Sequence, residues 1–130
     1  MTKNSAKAIL IVEDEEPLQK ILSDCLKREG FKILSAYDGK EGLRLAMKEH
    51  PDIILLDIIM PVMDGITMLE ELRKKEKDNH IPVIVLTNLS SNDRAAMARG
   101  QGVYDYLIKT DWKLEDLVKK VKQKLYAEDK

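Results

Sequence analysis

Three stretches of this chain are apolar without a break: Ile9–Val12, Ile53–Leu56 and Val83–Leu86. Runs this short and this continuous read as strands covered on both faces, as in a buried parallel sheet. The strands predicted from them are Ala8–Glu13, Ile53–Leu56 and Val83–Thr87. Two further candidates, Lys32–Ala36 and Tyr104–Ile108, mix polar with apolar positions and read as edge strands. Between the strands the period changes to that of an amphipathic helix. Leu18, Ile21, Leu22, Cys25 and Leu26 form one stripe, which Gly30 ends. Leu43, Ala46 and Met47 form a second, and Ile66, Leu69 and Leu72 a third. A fourth helix near Asn92–Arg99 has little bulk, with Ala95, Ala96, Met97 and Ala98. Leu114, Leu117, Val118, Val121 and Leu125 form the fifth and most regular stripe.

Strict alternation of strand and helix predicts an α/β fold, a five-stranded parallel sheet with helices on both faces and right-handed crossovers. With strands two and five at the edges, the economical order is 2-1-3-4-5, a flavodoxin-like doubly wound (βα)5 arrangement. Sites in such folds lie beyond the carboxyl ends of the strands where the order switches, here between strands one and three. Those two strands end in Glu13-Asp14 and in Asp57.

The chain has 130 residues, 44% hydrophobic and 35% charged, which fits one globular domain. The expected division is a flexible tail at 1–6, the domain at 7–126 and a second tail at 127–130. A formal charge of -1, from 22 basic and 23 acidic residues, gives no electrostatic reason to expect nucleic acid or an anionic membrane as partner. No apolar run has the length of a membrane span, and Met1–Lys7 lacks the apolar core of a signal peptide. The single Cys25 cannot pair internally, which fits a reducing, cytoplasmic setting.

Neighbouring strands lie about 4.8 Å apart, so Asp14 and Asp57 can present their carboxylates to one ion. Like charges that close are costly unless a cation neutralises them. A hard cation such as Mg2+ suits the oxygen donors and keeps room for a phosphoryl oxygen. Strands four and five end at Thr87 and Lys109, a hydroxyl and an ammonium suited to phosphoryl oxygens. Taken singly, each residue has a plain structural use: cap, loop acid, strand residue or solvated lysine. Together they point to phosphoryl transfer onto Asp57, giving an aspartyl phosphate. Asp14 and a backbone carbonyl near Ile59 would hold the metal, Glu13 would act through water, and Lys109 and Thr87 would bind the transferred group.

At this point the chain closely resembles the receiver domains of two-component response regulators, of the stand-alone type. The residues that carry the likeness are Ile11-Val12-Glu13-Asp14, Leu56-Asp57 with Met60-Pro61 and Asp64-Gly65, Thr87, and Gly102 with Tyr104 through Lys109. The resemblance spans residues 7–126. It implies Mg2+-dependent phosphorylation of Asp57 by a sensor histidine kinase or a histidine phosphotransfer protein. It also implies a switch in which Thr87 moves toward the phosphoryl group and Tyr106 turns inward. The face of helix four, strand five and helix five would then bind a downstream protein or a second copy, giving a monomer or a phosphorylation-dependent homodimer. Such a protein accepts and loses phosphate without being an enzyme in the turnover sense.

Three positions depart from the family pattern: Thr110 stands where proline usually follows the lysine, Asn88 follows Thr87 in place of a small residue, and Ile59 is apolar. An apolar Ile59 cannot orient a water by hydrogen bonding, so slow loss of phosphate is expected. The alternative reading is a pseudo-receiver, a binding module that no longer takes phosphate. An aspartate-nucleophile phosphatase is disfavoured because Ile59 stands where its second acid belongs. A flavin carrier is disfavoured because Glu13-Asp14-Glu15-Glu16 would repel a phosphate. Cys25 is expected buried, His50 and His80 at the surface, and Met60 and Met68 in packing, while Trp112 has packing and interface readings of equal standing.

Overall fold

In a computed structural model, residues 6–57, 62–76, 80–87, 105–108 and 113–126 are described, residues 87 and 105–108 by backbone alone. The strands are β1 (Ala8–Val12), β2 (Lys32–Ala36), β3 (Ile53–Asp57), β4 (Val83–Thr87) and β5 (Asp105–Ile108). The helices are α1 (Glu16–Arg28), α2 (Gly39–Glu49), α3 (Gly65–Lys75) and the C-terminal α4 (Leu114–Tyr126). The helix expected near Asn92–Arg99 lies outside the described residues.

All strand pairings are parallel, in the order β2-β1-β3-β4-β5. Each strand sends alternate side chains to opposite faces, so the sheet divides two cores. Leu10, Val12, Ile54, Leu56, Val83 and Val85 pack against α2 and α3 through Ala46, Met68, Leu69 and Leu72. Ile9, Ile11, Ile53, Leu55, Ile84 and Leu86 pack against α1 and α4 through Leu22, Leu26, Leu117 and Val121. The central strands are continuously apolar because each face has its own helical layer to meet.

Helix ends follow the local chemistry. Pro17 lies in the first turn of α1, where its missing N–H is no loss, and Gly30 closes that helix at φ +96°. The Asp38 carboxylate caps α2 by accepting from the Glu41 N–H at 2.8 Å. Asp64 caps α3 by accepting from the Thr67 N–H, also at 2.8 Å. At the far end of α3, Arg73 and Glu76 form a buried ion pair at 2.7 Å, and Glu76 also accepts from the Ile81 N–H. The C-terminal helix is fastened to the end of α1 by Lys122–Glu29 at 2.6 Å and by Phe31–Tyr126 stacking.

The apolar face of α1 is rotated from the one its periodicity predicts. Gln19, Leu22, Ser23 and Leu26 are buried, whereas Ile21 is 50% exposed and Cys25 only half-buried. The cause lies at the start of the helix, which covers the carboxyl ends of β1 and β2. Backbone carbonyls of Ile11, Glu13 and Ala36 converge there, and Gln19 turns inward to place its amide among them. Met68 is fully buried and both His50 and His80 are exposed, as expected from the sequence.

Candidate functional site

The register of the sheet places the site. Val12 of β1 stands beside Leu56 of β3, so the next residues, Glu13 and Asp57, emerge together at the carboxyl edge. Glu13, Asp14 and Asp57 each bring a carboxylate oxygen within 4.8 Å of the other two. Glu13 is fully buried, Asp57 is 6% exposed, and Asp14 is half-buried on the open side. The sequence placed Glu13 one water away from a metal, and its carboxylate oxygen lies in this close group.

Hydrogen bonds hold this acidic turn from two sides. The Glu15 N–H donates to the Glu13 carboxylate at 3.0 Å. Behind it, the Gln19 side-chain amide lies 3.2 Å from the Ile11 carbonyl, 3.2 Å from the Glu13 carbonyl and 3.1 Å from the Ala36 carbonyl. The Glu13 N–H donates to that same Ala36 carbonyl at 3.0 Å. Sequence reasoning missed Gln19, which sits one residue off the expected stripe. Its signal was an amide four residues after the N-cap Glu15, directly beneath the acids.

A second rim loop is tied down across the crevice. The Gly39 N–H at the start of α2 donates to the Met63 carbonyl at 3.0 Å, joining the β2–α2 turn to the segment after Asp57. Val62 in that segment has φ +69° and is 76% exposed. A β-branched residue in the left-handed region is a local strain, held in place by the Gly39–Met63 tie and the Asp64 cap.

Other site residues expected from the sequence are described less fully. Asp57 is in register with Leu86, and Thr87, the next residue, ends β4 opposite Ile108 of β5. Because every strand is parallel, these termini share the edge that carries the acids. Tyr106 pairs with Val85 inside β5. Ile59, Asn88, Lys109, Thr110 and Trp112 lie outside the described residues, as does Met60.

The acids form an all-oxygen donor set, two of them withdrawn from bulk water. Such a set fits a hard divalent cation and not a soft one. A parallel doubly wound sheet with acids at its order switch defines a class of α/β proteins that handle charged ligands on that edge. Within that class, the family model for the response regulator receiver domain matches residues 9–122, and the chain belongs to this family. It is therefore a receiver domain of the two-component type. Solved structures agree. A CheY-like response regulator receiver domain protein from Methanospirillum hungatei is 29% identical with a TM-score of 0.88, over 96% of this chain and 98% of that one. The receiver domain of the Francisella response regulator 1452 is 31% identical, TM-score 0.83, over 95% and 99%. The CheX-CheY-BeF3-Mg complex from Borrelia burgdorferi contains a chain 28% identical, TM-score 0.82, over 92% and 89%. Among the described residues no helix is long and apolar enough to cross a membrane.

Proposed function

We propose that this chain, over residues 7–126, is the phosphoacceptor switch of a two-component phosphorelay, working in the cytoplasm. The convergence of Glu13, Asp14 and Asp57 at the switch point of the sheet carries the reading. Asp57 is the nucleophile. One of its oxygens attacks the phosphorus of a phosphohistidine on a sensor kinase or phosphotransfer protein. The P–N bond breaks, its electron pair leaves with the imidazole, and an acyl phosphate remains on Asp57. Glu13, Asp14, Asp57 and the Ile59 backbone carbonyl would hold Mg2+, which supplies neutralisation of the charge gathered between acids and phosphoryl oxygens. Thr87 and Lys109 bind those oxygens as hydrogen-bond donor and counter-charge.

The added charge then biases a two-state element. Thr87 moves toward the phosphoryl group, Tyr106 turns inward, and the face made by the predicted fourth helix, β5 and α4 takes up a downstream protein or a second copy. The Borrelia neighbour, solved with CheX, BeF3 and Mg, lends support as a related chain in such a complex. The test is incubation with Mg2+ and a small acyl phosphate, followed by intact-mass spectrometry and NMR. The expected result is one added phosphoryl group in wild type and none in Asp57→Ala or in the presence of a chelator. No addition to wild type would favour the phosphorylation-independent binding module.

A further inference from the structure

We propose that Gln19 is a positioning residue for the metal. Its side-chain amide fixes the Glu13–Asp14 turn and so sets where two of the three carboxylates point. The inference rests on the metal reading of the acidic cluster given above.

Gln19 is 2% exposed and sits on the first full turn of α1, against the carboxyl ends of β1 and β2. Its Nε2 has two hydrogens and three carbonyl neighbours, those of Ile11, Glu13 and Ala36, at 3.1–3.2 Å. Three acceptors around one atom also fix the orientation of the amide, because an oxygen there would face three oxygens. The Gln19 Oε1 is buried and has no hydrogen-bond partner among the described residues. Thus the residue turns both donors toward backbone carbonyls, one of them at the turn, while its acceptor has no partner among the described residues. Simple packing would favour Met or Leu at this place, with no orphaned atom.

The three carbonyls are not equivalent. Ile11 lies within β1 and Ala36 closes β2, so both are anchored in the sheet. Glu13 is past the last β1 residue, and its carbonyl begins the peptide that carries Asp14. By bridging the Glu13 carbonyl to the two anchored ones, the amide fastens that peptide to the sheet, beside the bond from the Glu13 N–H to the Ala36 carbonyl. The Glu15–Glu13 bond then sets the Glu13 carboxylate from the front. Outer partners of metal ligands act in this way, and their loss typically lowers affinity by about 10- to 100-fold.

The test compares wild type, Gln19→Met, Gln19→Asn and Leu26→Ala. Leu26 is fully buried on the same helix but far along it from the acids, so its variant reports general destabilisation. Mg2+ affinity is read by NMR titration of the Glu13, Asp14 and Asp57 amides, and amide exchange at Glu13 and Glu15 is read without metal. The expected result for Gln19→Met is roughly tenfold weaker Mg2+ binding and roughly tenfold faster exchange at those two amides. Leu26→Ala should bind Mg2+ within about twofold of wild type. Gln19→Asn keeps an amide one methylene shorter and should fall between, and it decides the matter if Gln19→Met does not fold. Unchanged affinity in the folded Gln19 variants, or an equal loss in Leu26→Ala, overturns the role of Gln19 alone. A wild type that does not respond to Mg2+ overturns the metal reading and this inference with it.

Discussion

Replacing Gly39 by alanine tests whether the two rim loops are held in direct backbone contact. Gly39 opens α2 and its N–H donates to the Met63 carbonyl. A Cβ built on Gly39 would overlap the Met63 carbonyl oxygen and lie 2.9 Å from its carbonyl carbon and 3.1 Å from its Cβ. The obstacle is backbone, so no rotamer change relieves it. Taken on propensity alone, alanine would be the better helix residue, and loss of unfolded-state freedom would add about 0.4–1 kcal/mol of stability. Against that stand an overpacking cost of about 1–3 kcal/mol and about 1 kcal/mol for the weakened Gly39–Met63 hydrogen bond. The net expectation is destabilisation of about 1–3 kcal/mol. With an unfolding entropy of roughly 0.27 kcal/mol/K for a chain of this size, the melting temperature falls by about 4–11 °C.

Thermal unfolding followed by circular dichroism measures the fall, and amide chemical shifts locate its origin. Gly39→Ala should perturb Val62, Met63 and Asp57 together. Gly30→Ala is the useful comparison, because φ there is +96° and nothing lies within 4 Å of an added Cβ. It stores backbone strain of about 1–2 kcal/mol but should leave the amides of the site unmoved. If Gly39→Ala is as stable as wild type and the shifts after Asp57 do not change, the tie between the loops is not what shapes that segment.

Two other perturbations follow from named contacts. Glu76→Ala removes the carboxylate that meets the buried Arg73 guanidinium at 2.7 Å and accepts from the Ile81 N–H, and should cost about 3–5 kcal/mol in urea unfolding; removing Arg73 as well, as Arg73→Met, should recover part of the loss, and a double variant worse than the single one would contradict the pairing. Ile59→Asn introduces, two residues after Asp57, a side chain able to hydrogen-bond water, so on the proposed function the aspartyl phosphate should decay faster than in wild type; equal or slower decay refutes the link between Ile59 and phosphate retention.

The sheet was legible because its central strands are apolar on both faces, and that pattern has few other meanings. Ile53–Leu56 ending in Asp57 gave both a strand and the location of the acid. The face of α1 was harder. Hydrophobic periodicity assumes that a helix covers apolar side chains, and the first turn of α1 instead covers carbonyl groups, so Gln19 went in and Ile21 came out. The Gly39–Met63 contact had no local signal either. It depends on two turns meeting across the sheet edge, which only the register of β1 with β2 and β3 determines.

The division of the interior by the sheet has a consequence for how such a chain can change over time. Ile9 and Leu10 are neighbours in sequence, yet each answers to a different helical layer. Repacking α2 and α3 asks nothing of α1 and α4, because backbone stands between them, and effects of substitutions without shared partners tend to add. The acids at the carboxyl edge belong to neither layer. The two sides can therefore drift separately in composition and shape, acquiring different outer surfaces, as long as Gln19 of α1 and Gly39 of α2 keep their contacts at the rim.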